Sequence, residues 1–123
     1  MTNEDMAEAL GECELPLQVP NGFKIVTLAP AVAKLDPTDK ASDELLNMRI
    51  LLRFKDYGWC VGTITSKVTN RSRRIGRDRV NFVAKFDMDE GETTDLSLEA
   101  NMYDVSPSAD YQSWMLLEPE QPE

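Results

Sequence analysis

The chain has 123 residues, a formal net charge of −9 and no histidine. Its length suits a single domain with tails. Without histidine, neither a Ser-His-Asp or Cys-His nucleophilic site nor an imidazole-based zinc site can form. Two cysteines, Cys13 and Cys60, are too few for a disulfide framework or a four-cysteine zinc site, and no glycine-rich phosphate-binding motif occurs. We therefore expect no enzyme, no metal site and no cofactor.

Membrane and secretory signals are not visible in the sequence either. No apolar run approaches the roughly 18 residues that cross a bilayer. The N-terminus is acidic and lacks the basic and apolar regions of a signal peptide. We expect an intracellular protein without a membrane partner.

The charge is strongly segregated along the chain. Residues 47–86 hold ten basic and two acidic side chains, a net +8, whereas residues 1–46 carry −6 and residues 87–123 carry −11. This pattern predicts either an anionic partner for the central block or neutralisation of that block by the flanks of the same molecule.

In chain order, residues 1–22 are predicted to be a flexible acidic segment, because they are acidic and contain Pro16 and Pro20. Residues 23–46 are predicted to be an extension that packs on the main domain. It contains an extended stretch at 23–28 and a short helical turn at 42–47, with Ser42 as a candidate N-cap.

A β-hairpin is predicted across residues 49–68. Ile50, Leu52 and Phe54 alternate with residues of the other face, the period-2 pattern of a strand with one buried face. Gly58 supplies the positive φ that the tight turn at 56–58 needs. In the second strand, Gly62 predicts a close backbone approach or a bend, and Cys60 is interpreted as a small buried hydrophobe.

Three further strands are predicted at 80–86, 93–98 and 113–117. An acidic turn with Gly91 in the left-handed region joins the first two, and a long polar connection precedes the last. The chain then ends in an acidic tail at 118–123. Together with the hairpin, these strands predict a mainly β domain of five antiparallel strands over residues 47–117.

The second and third strands are joined by an arginine-rich loop or hairpin arm. It carries five arginines in nine residues: Arg71, Arg73, Arg74, Arg77 and Arg79. The loop is either a solvated surface loop or a contact surface for phosphate or an acidic peptide, since guanidinium groups bind both bidentately.

This order of motifs resembles the Tudor-like branch of SH3-like barrels, which includes Tudor, Agenet, PWWP and chromo-barrel domains. The resemblance covers residues 47–117. It rests on Gly58-Trp59 opening the second strand, on Gly62-Thr63-Ile64, and on the acidic turn that begins at Phe86-Asp87. It implies a small five-stranded barrel with an N-terminal extension that contains a short helix.

The resemblance also implies a binding module that holds methylated lysine or arginine of a histone-type peptide in an aromatic cage, and a nuclear, chromatin-associated protein. By position, the cage residues are Phe54, Tyr57, Trp59, Phe86 and Asp89. Two aromatic positions of the family's cages fall near Cys60 and Asp89 instead. The alternative is that Trp59, Phe82 and Phe86 serve only as core.

Three functions therefore stay open at this point. The first is a chromatin-associated peptide-binding module that uses the cage. The second is a nucleic-acid-binding module that uses the arginines of loop 71–79 and whose affinity falls with salt. The third is a structural interaction domain that uses a sheet edge.

Overall fold

The computed structural model describes residues 15–89 and 92–120. The fold is mainly β, with 38% of the residues in strands. Residues 1–14 of the flexible segment predicted over 1–22, Gly91 of the acidic turn and the tail residues 121–123 lie outside the described residues. The strands are β1 (Phe23–Ile25), β2 (Arg49–Phe54), β3 (Gly58–Lys67), β4 (Arg74–Ile75), β5 (Asp78–Arg79), β6 (Phe82–Phe86), β7 (Thr94–Leu96) and β8 (Trp114–Pro119). Three 3₁₀ helices accompany them, at Val32–Leu35, Lys40–Leu45 and Ala100–Met102.

Six of the strands form one antiparallel sheet in the order β1-β8-β2-β3-β6-β7, and β4 and β5 form a separate hairpin. The five predicted strands correspond to β2, β3, β6, β7 and β8. The sixth, β1, comes from the predicted extension and pairs with β8, so that Lys24 lies opposite Glu118. Because β8 runs to Pro119, the sheet includes two residues that the sequence assigned to the tail.

The β2–β3 hairpin is built as predicted. Its register places Phe54 opposite Gly58 and Leu52 opposite Cys60. Gly58 has a φ of 84°, which confirms its role in the turn, and Asp56 also adopts a positive φ, 77°. β3 pairs with β2 along its first half and with β6 along its second, and its register shifts between Ile64 and Ser66.

Both faces of this hairpin are buried, so the predicted single buried face is wrong. Ile50 and Leu52 pack in the main core with Phe82 and Trp114. On the other face, Leu51 is fully buried in a second cluster, covered by side chains from residues 17–25 and 103–109. The covering chain comes from segments distant in sequence, which local alternation cannot reveal.

The second 3₁₀ helix corrects the predicted cap. Its N-cap is Asp39, whose side chain accepts a hydrogen bond from the backbone N–H of Ala41 at 2.9 Å. Ser42 lies inside the helix, fully buried, and its hydroxyl donates to the Asp39 carbonyl at 2.7 Å. The Ser42 N–H also donates to the Asp39 carbonyl, at 2.9 Å, and this three-residue spacing is the hydrogen-bond pattern of a 3₁₀ turn.

Two segments are more tightly held than the sequence suggested. Leu15, in the predicted flexible segment, donates its N–H to the Tyr57 carbonyl at 2.7 Å and accepts from the Trp59 N–H at 2.9 Å. Asn81, predicted within the third strand, precedes β6 and is buried. Its side chain forms hydrogen bonds with the backbone of Leu35 and Leu98 and so connects the extension to the sheet.

In the part of the chain that the structure describes, no helix is long and apolar enough to cross a membrane.

Candidate functional site

A small cavity of about 150 Å³ lies where the end of β2, the hairpin turn and the end of β6 meet. We call it the aromatic pocket. It is lined by Phe54, Tyr57, Cys60, Phe86, Met88, Asp89 and Thr94. Four of the five predicted cage residues are therefore brought together: Phe54, Tyr57, Phe86 and Asp89.

Phe54 and Phe86 form the inner wall of the aromatic pocket. They are the last residues of β2 and β6, and their ring centroids are 5.1 Å apart at an interplanar angle of 80°. This edge-to-face arrangement is a favourable one for aromatic rings. Gly62 makes room for it, because a Cβ there would come within 2.7 Å of the Phe86 ring and 3.0 Å of the Lys85 carbonyl oxygen. The close approach predicted at Gly62 is thereby confirmed.

The rim of the pocket is open to solvent. The side chain of Tyr57 is 57% exposed and that of Met88 is 51% exposed. The two hydrogen bonds of Leu15 on either side of Tyr57 hold the backbone of the turn beside β3. An exposed aromatic ring on an anchored turn can contact a ligand with little loss of backbone conformational entropy, since the backbone is already ordered.

One carboxylate faces the pocket. The Asp89 N–H donates to the Phe86 carbonyl at 3.0 Å, which closes the turn after β6. Asp87, two residues earlier, forms an ion pair with Arg49. The Arg49 guanidinium donates two hydrogen bonds to the Asp87 carboxylate, at 2.9 and 2.8 Å. Within residues 15–89 and 92–120, no basic side chain pairs with Asp89. Aromatic side chains and a carboxylate therefore line the same cavity, although Phe86, which is 2% exposed, packs in the main core as Phe82 does.

Cys60 is a buried lining residue of the pocket and contacts Met88 at the rim. Cys60 is a free thiol, 3% exposed, with its Sγ 3.4 Å from the Met88 Sδ. Burial, and secondarily the negative charge of Asp89, raise the pKa of the Cys60 thiol. The thiol stays neutral near pH 7 and packs as an apolar group, as the sequence predicted.

Trp59 lies on the opposite face of β3 and does not line the aromatic pocket. It is 4% exposed, packs with Leu51 and Met115, and donates its indole N–H to the Pro107 carbonyl at 3.1 Å. The reason is the register: Trp59 pairs with Arg53, whereas Cys60 and Gly58 share the face of Phe54. That same alternation was the sequence signal that could have placed Cys60 in the pocket.

The arginine-rich segment forms the β4–β5 hairpin, and its five arginines have different environments. Arg73 makes a two-point ion pair with Asp95, and Arg74 donates to the Arg77 carbonyl at 3.1 Å. Arg79 is half-buried, with Nε and one Nη lacking a hydrogen-bond partner in the described chain. Arg71, Arg74 and Arg77 are exposed. The hairpin is a cationic surface separate from the aromatic pocket.

Comparison with protein-family models, with curated proteins and with solved structures finds no match for this chain. Among the described residues, no group of three or more Cys, Asp or Glu side chains is arranged to hold a metal ion. The geometry of the aromatic pocket is therefore the main guide to function.

Proposed function

We propose that this chain is a non-enzymatic, chromatin-associated binding module of the Tudor-like class of SH3-like barrels. It acts in the nucleus and binds a histone-type peptide through a methylated lysine or arginine side chain. The observation that carries the proposal is the convergence of Phe54, Tyr57, Phe86 and Asp89 on one cavity.

The sheet topology supports the barrel part of the proposal. In a small barrel the strands are staggered, and an irregularity in the pairing bends a strand so that the sheet can curve round. β3 has such an irregularity, its register shift between Ile64 and Ser66. β2, β3, β6, β7 and β8 supply the five strands, and β1 extends the sheet beyond them.

The chemistry of the pocket supports a methylated cation as ligand. Methylation removes hydrogen-bond donors from an ammonium or guanidinium group but keeps its charge, so aromatic faces become good partners for it. The rings of Tyr57 and Phe54 are the candidate partners, backed by the buried Phe86, and Asp89 provides the opposite charge. A cavity of about 150 Å³ is well below the roughly 300–1,000 Å³ of sites for whole small molecules, which favours a single side-chain head group.

Calorimetry with matched peptides tests this proposal. We expect peptides with mono-, di- or trimethyl-lysine or dimethyl-arginine to bind, and the best of them to bind more tightly than its unmodified counterpart. Tyr57→Ala removes an exposed ring and should weaken binding by about 3- to 30-fold, the range of one cation–π contact.

Two variants serve as controls for Tyr57→Ala. Tyr57→Phe keeps the π face and should retain most of the affinity. Leu28→Ala changes a side chain that is 80% exposed and outside the aromatic pocket, and should bind as wild type does. If no methylated peptide binds better than its unmodified counterpart, the proposal is wrong.

A second candidate function is nucleic-acid binding by the β4–β5 hairpin. It is favoured by the exposure of Arg71, Arg74 and Arg77, since the Arg73 guanidinium is already engaged by Asp95. Three phosphate contacts would give a log–log salt slope of about −2.7 for duplex DNA. Replacing these three arginines by alanine should abolish such binding, whereas Tyr57→Ala should leave it unchanged.

A further inference from the structure

A larger cavity of about 500 Å³ adjoins the aromatic pocket. The two share Phe54 and Thr94 as lining residues, so they lie side by side, and we refer to both together as the depression. We call the larger part the β7 groove. It is lined by β7 and Ser97, by Tyr111 and Gln112, and by Ile75 and Asp78 of the β4–β5 hairpin.

The β7 groove runs beside a free strand edge. β7 lies at the end of the sheet order and has a paired strand, β6, on one side only within the described chain. Residues 94–97 line the groove consecutively, which places the length of this edge along it. A free edge next to a groove is the setting in which an extended peptide adds as a further strand.

The charge along this depression has one sign. The β7 groove is lined by Asp78, Asp95 and Glu99, and the aromatic pocket by Asp89, while no lysine or arginine lines either cavity. Asp95 is engaged by Arg73. Asp78 and Glu99 form no ion pair with any described residue. This charge pattern is complementary to a basic peptide and repels nucleic acid.

We propose that the β7 groove binds the flanking part of the same peptide whose methylated side chain enters the aromatic pocket. The peptide is extended and basic: its backbone runs along the free edge of β7, and a second lysine or arginine faces Asp78 and Glu99. This inference rests on the proposed function and adds the sequence class of the ligand, a methylated residue with a basic residue close to it.

The experiment compares two methyl-lysine peptides on wild type and on the double variant Asp78→Asn, Glu99→Gln. One peptide carries lysine or arginine at the positions flanking the methyl-lysine, and the other carries glutamine there. On wild type, the basic peptide should bind about 3- to 10-fold more tightly at low salt. On the double variant this advantage should disappear, while affinity for the glutamine peptide stays the same.

A charge-matched control is Asp104→Asn with Glu120→Gln, which removes two exposed carboxylates that line neither cavity. It should keep the preference for the basic peptide. If wild type binds both peptides equally, or if the double variant keeps the preference, the groove inference is overturned while the aromatic pocket stands. If neither methylated peptide binds wild type, the proposed function fails and the groove inference fails with it.

A backbone test addresses the strand-addition part. Replacing the amide N–H groups of the flanking residues by N-methyl groups removes the donors that an added strand needs. The N-methylated basic peptide should bind more weakly than the unmodified one. Equal affinity would contradict the pairing of the peptide with β7.

Discussion

Gly62 shows how one residue shapes the aromatic pocket. Its missing side chain leaves the space in which the Phe86 ring lies against β3, within 2.7 Å of where a Cβ would be. Gly62→Ala should therefore force the ring to move and lower the free energy of unfolding by about 1–3 kcal/mol, the usual cost of overpacking. Urea unfolding measures the loss.

Ser66→Ala is the control for this substitution, because Ser66 is an exposed residue of the same strand. It should change stability by no more than about 0.5 kcal/mol. A Gly62→Ala protein as stable as wild type would mean that the Phe86 ring does not pack against Gly62, and the inner wall of the pocket would have to be redrawn.

At the same scale, the candidate site was only partly predictable. All five cage residues were assigned by the family resemblance; the local pattern placed Phe54 and Phe86 at strand ends and Tyr57 in the hairpin turn. Trp59 was assigned to the cage by its resemblance to a motif, although its odd-numbered position places it on the other face of β3 from Cys60. Met88 and Thr94 were missed because their place in the pocket depends on how the acidic turn after β6 folds back.

At the scale of elements, Asn81 joins parts that are distant in sequence. Its side-chain amide donates to the carbonyls of Leu35 and Leu98 at 2.9 and 3.0 Å and its oxygen accepts from the Leu98 N–H at 2.9 Å. Asn81→Ala leaves these buried backbone groups without partners, so it should lower the free energy of unfolding by at least about 2 kcal/mol. Thermal or urea unfolding checks this.

Asn101→Ala, at an exposed position in the third 3₁₀ helix, provides the comparison and should cost much less. Similar losses in both variants would show that Asn81 contributes little beyond an ordinary surface amide, and that other contacts hold the Val32–Leu35 helix against the sheet.

The Arg49–Asp87 ion pair connects the start of β2 with the end of β6. The hydrogen bonds from Arg49 hold the pKa of Asp87 below its ordinary value. A lowered folded-state pKa gives stability that is present above the unfolded pKa of about 3.9 and is lost as the pH falls through the lowered value. Asp87→Asn should therefore be less stable than wild type at pH 7, by no more than about 1 kcal/mol because the carboxylate is 57% exposed.

Urea unfolding at pH 7 and near pH 2 measures this dependence. The difference between wild type and Asp87→Asn should shrink in acid, whereas Glu120→Gln, at an exposed carboxylate, should differ little from wild type at pH 7. A difference that is constant with pH would show that the ion pair is not its source.

Element positions were predicted well where hydrophobic alternation is local, as in β2, β3 and β8. The burial of both hairpin faces was not, because residues 17–25 and 103–109 cover Leu51 and Trp59 from far along the chain. The cap of the second 3₁₀ helix was missed for a similar reason. Ser42 has the side chain of a cap, but its burial placed it inside the helix.

Across the whole molecule, the ion pairs show how far the acidic flanks neutralise the basic central block. Among the described residues, basic side chains of the central block pair with carboxylates of the flanks, as Arg49 does with Asp87, Lys67 with Asp43 and Arg73 with Asp95. The flanks therefore neutralise part of the centre. What remains is a cationic β4–β5 hairpin and, bordered by it, an acidic depression at the aromatic pocket and β7 groove, which suits a basic peptide there.

The most direct test of the account is an NMR titration of the labelled protein with a trimethyl-lysine peptide that has basic flanking residues. The account predicts shift changes at Phe54, Tyr57, Cys60 and Asp89, continuing along β7 to Glu99 and to Asp78 across the groove, and absent from Arg71. A protein whose pocket signals do not move at millimolar peptide, or whose shifts are confined to the arginine hairpin, would contradict the assignment of the aromatic pocket as the binding site.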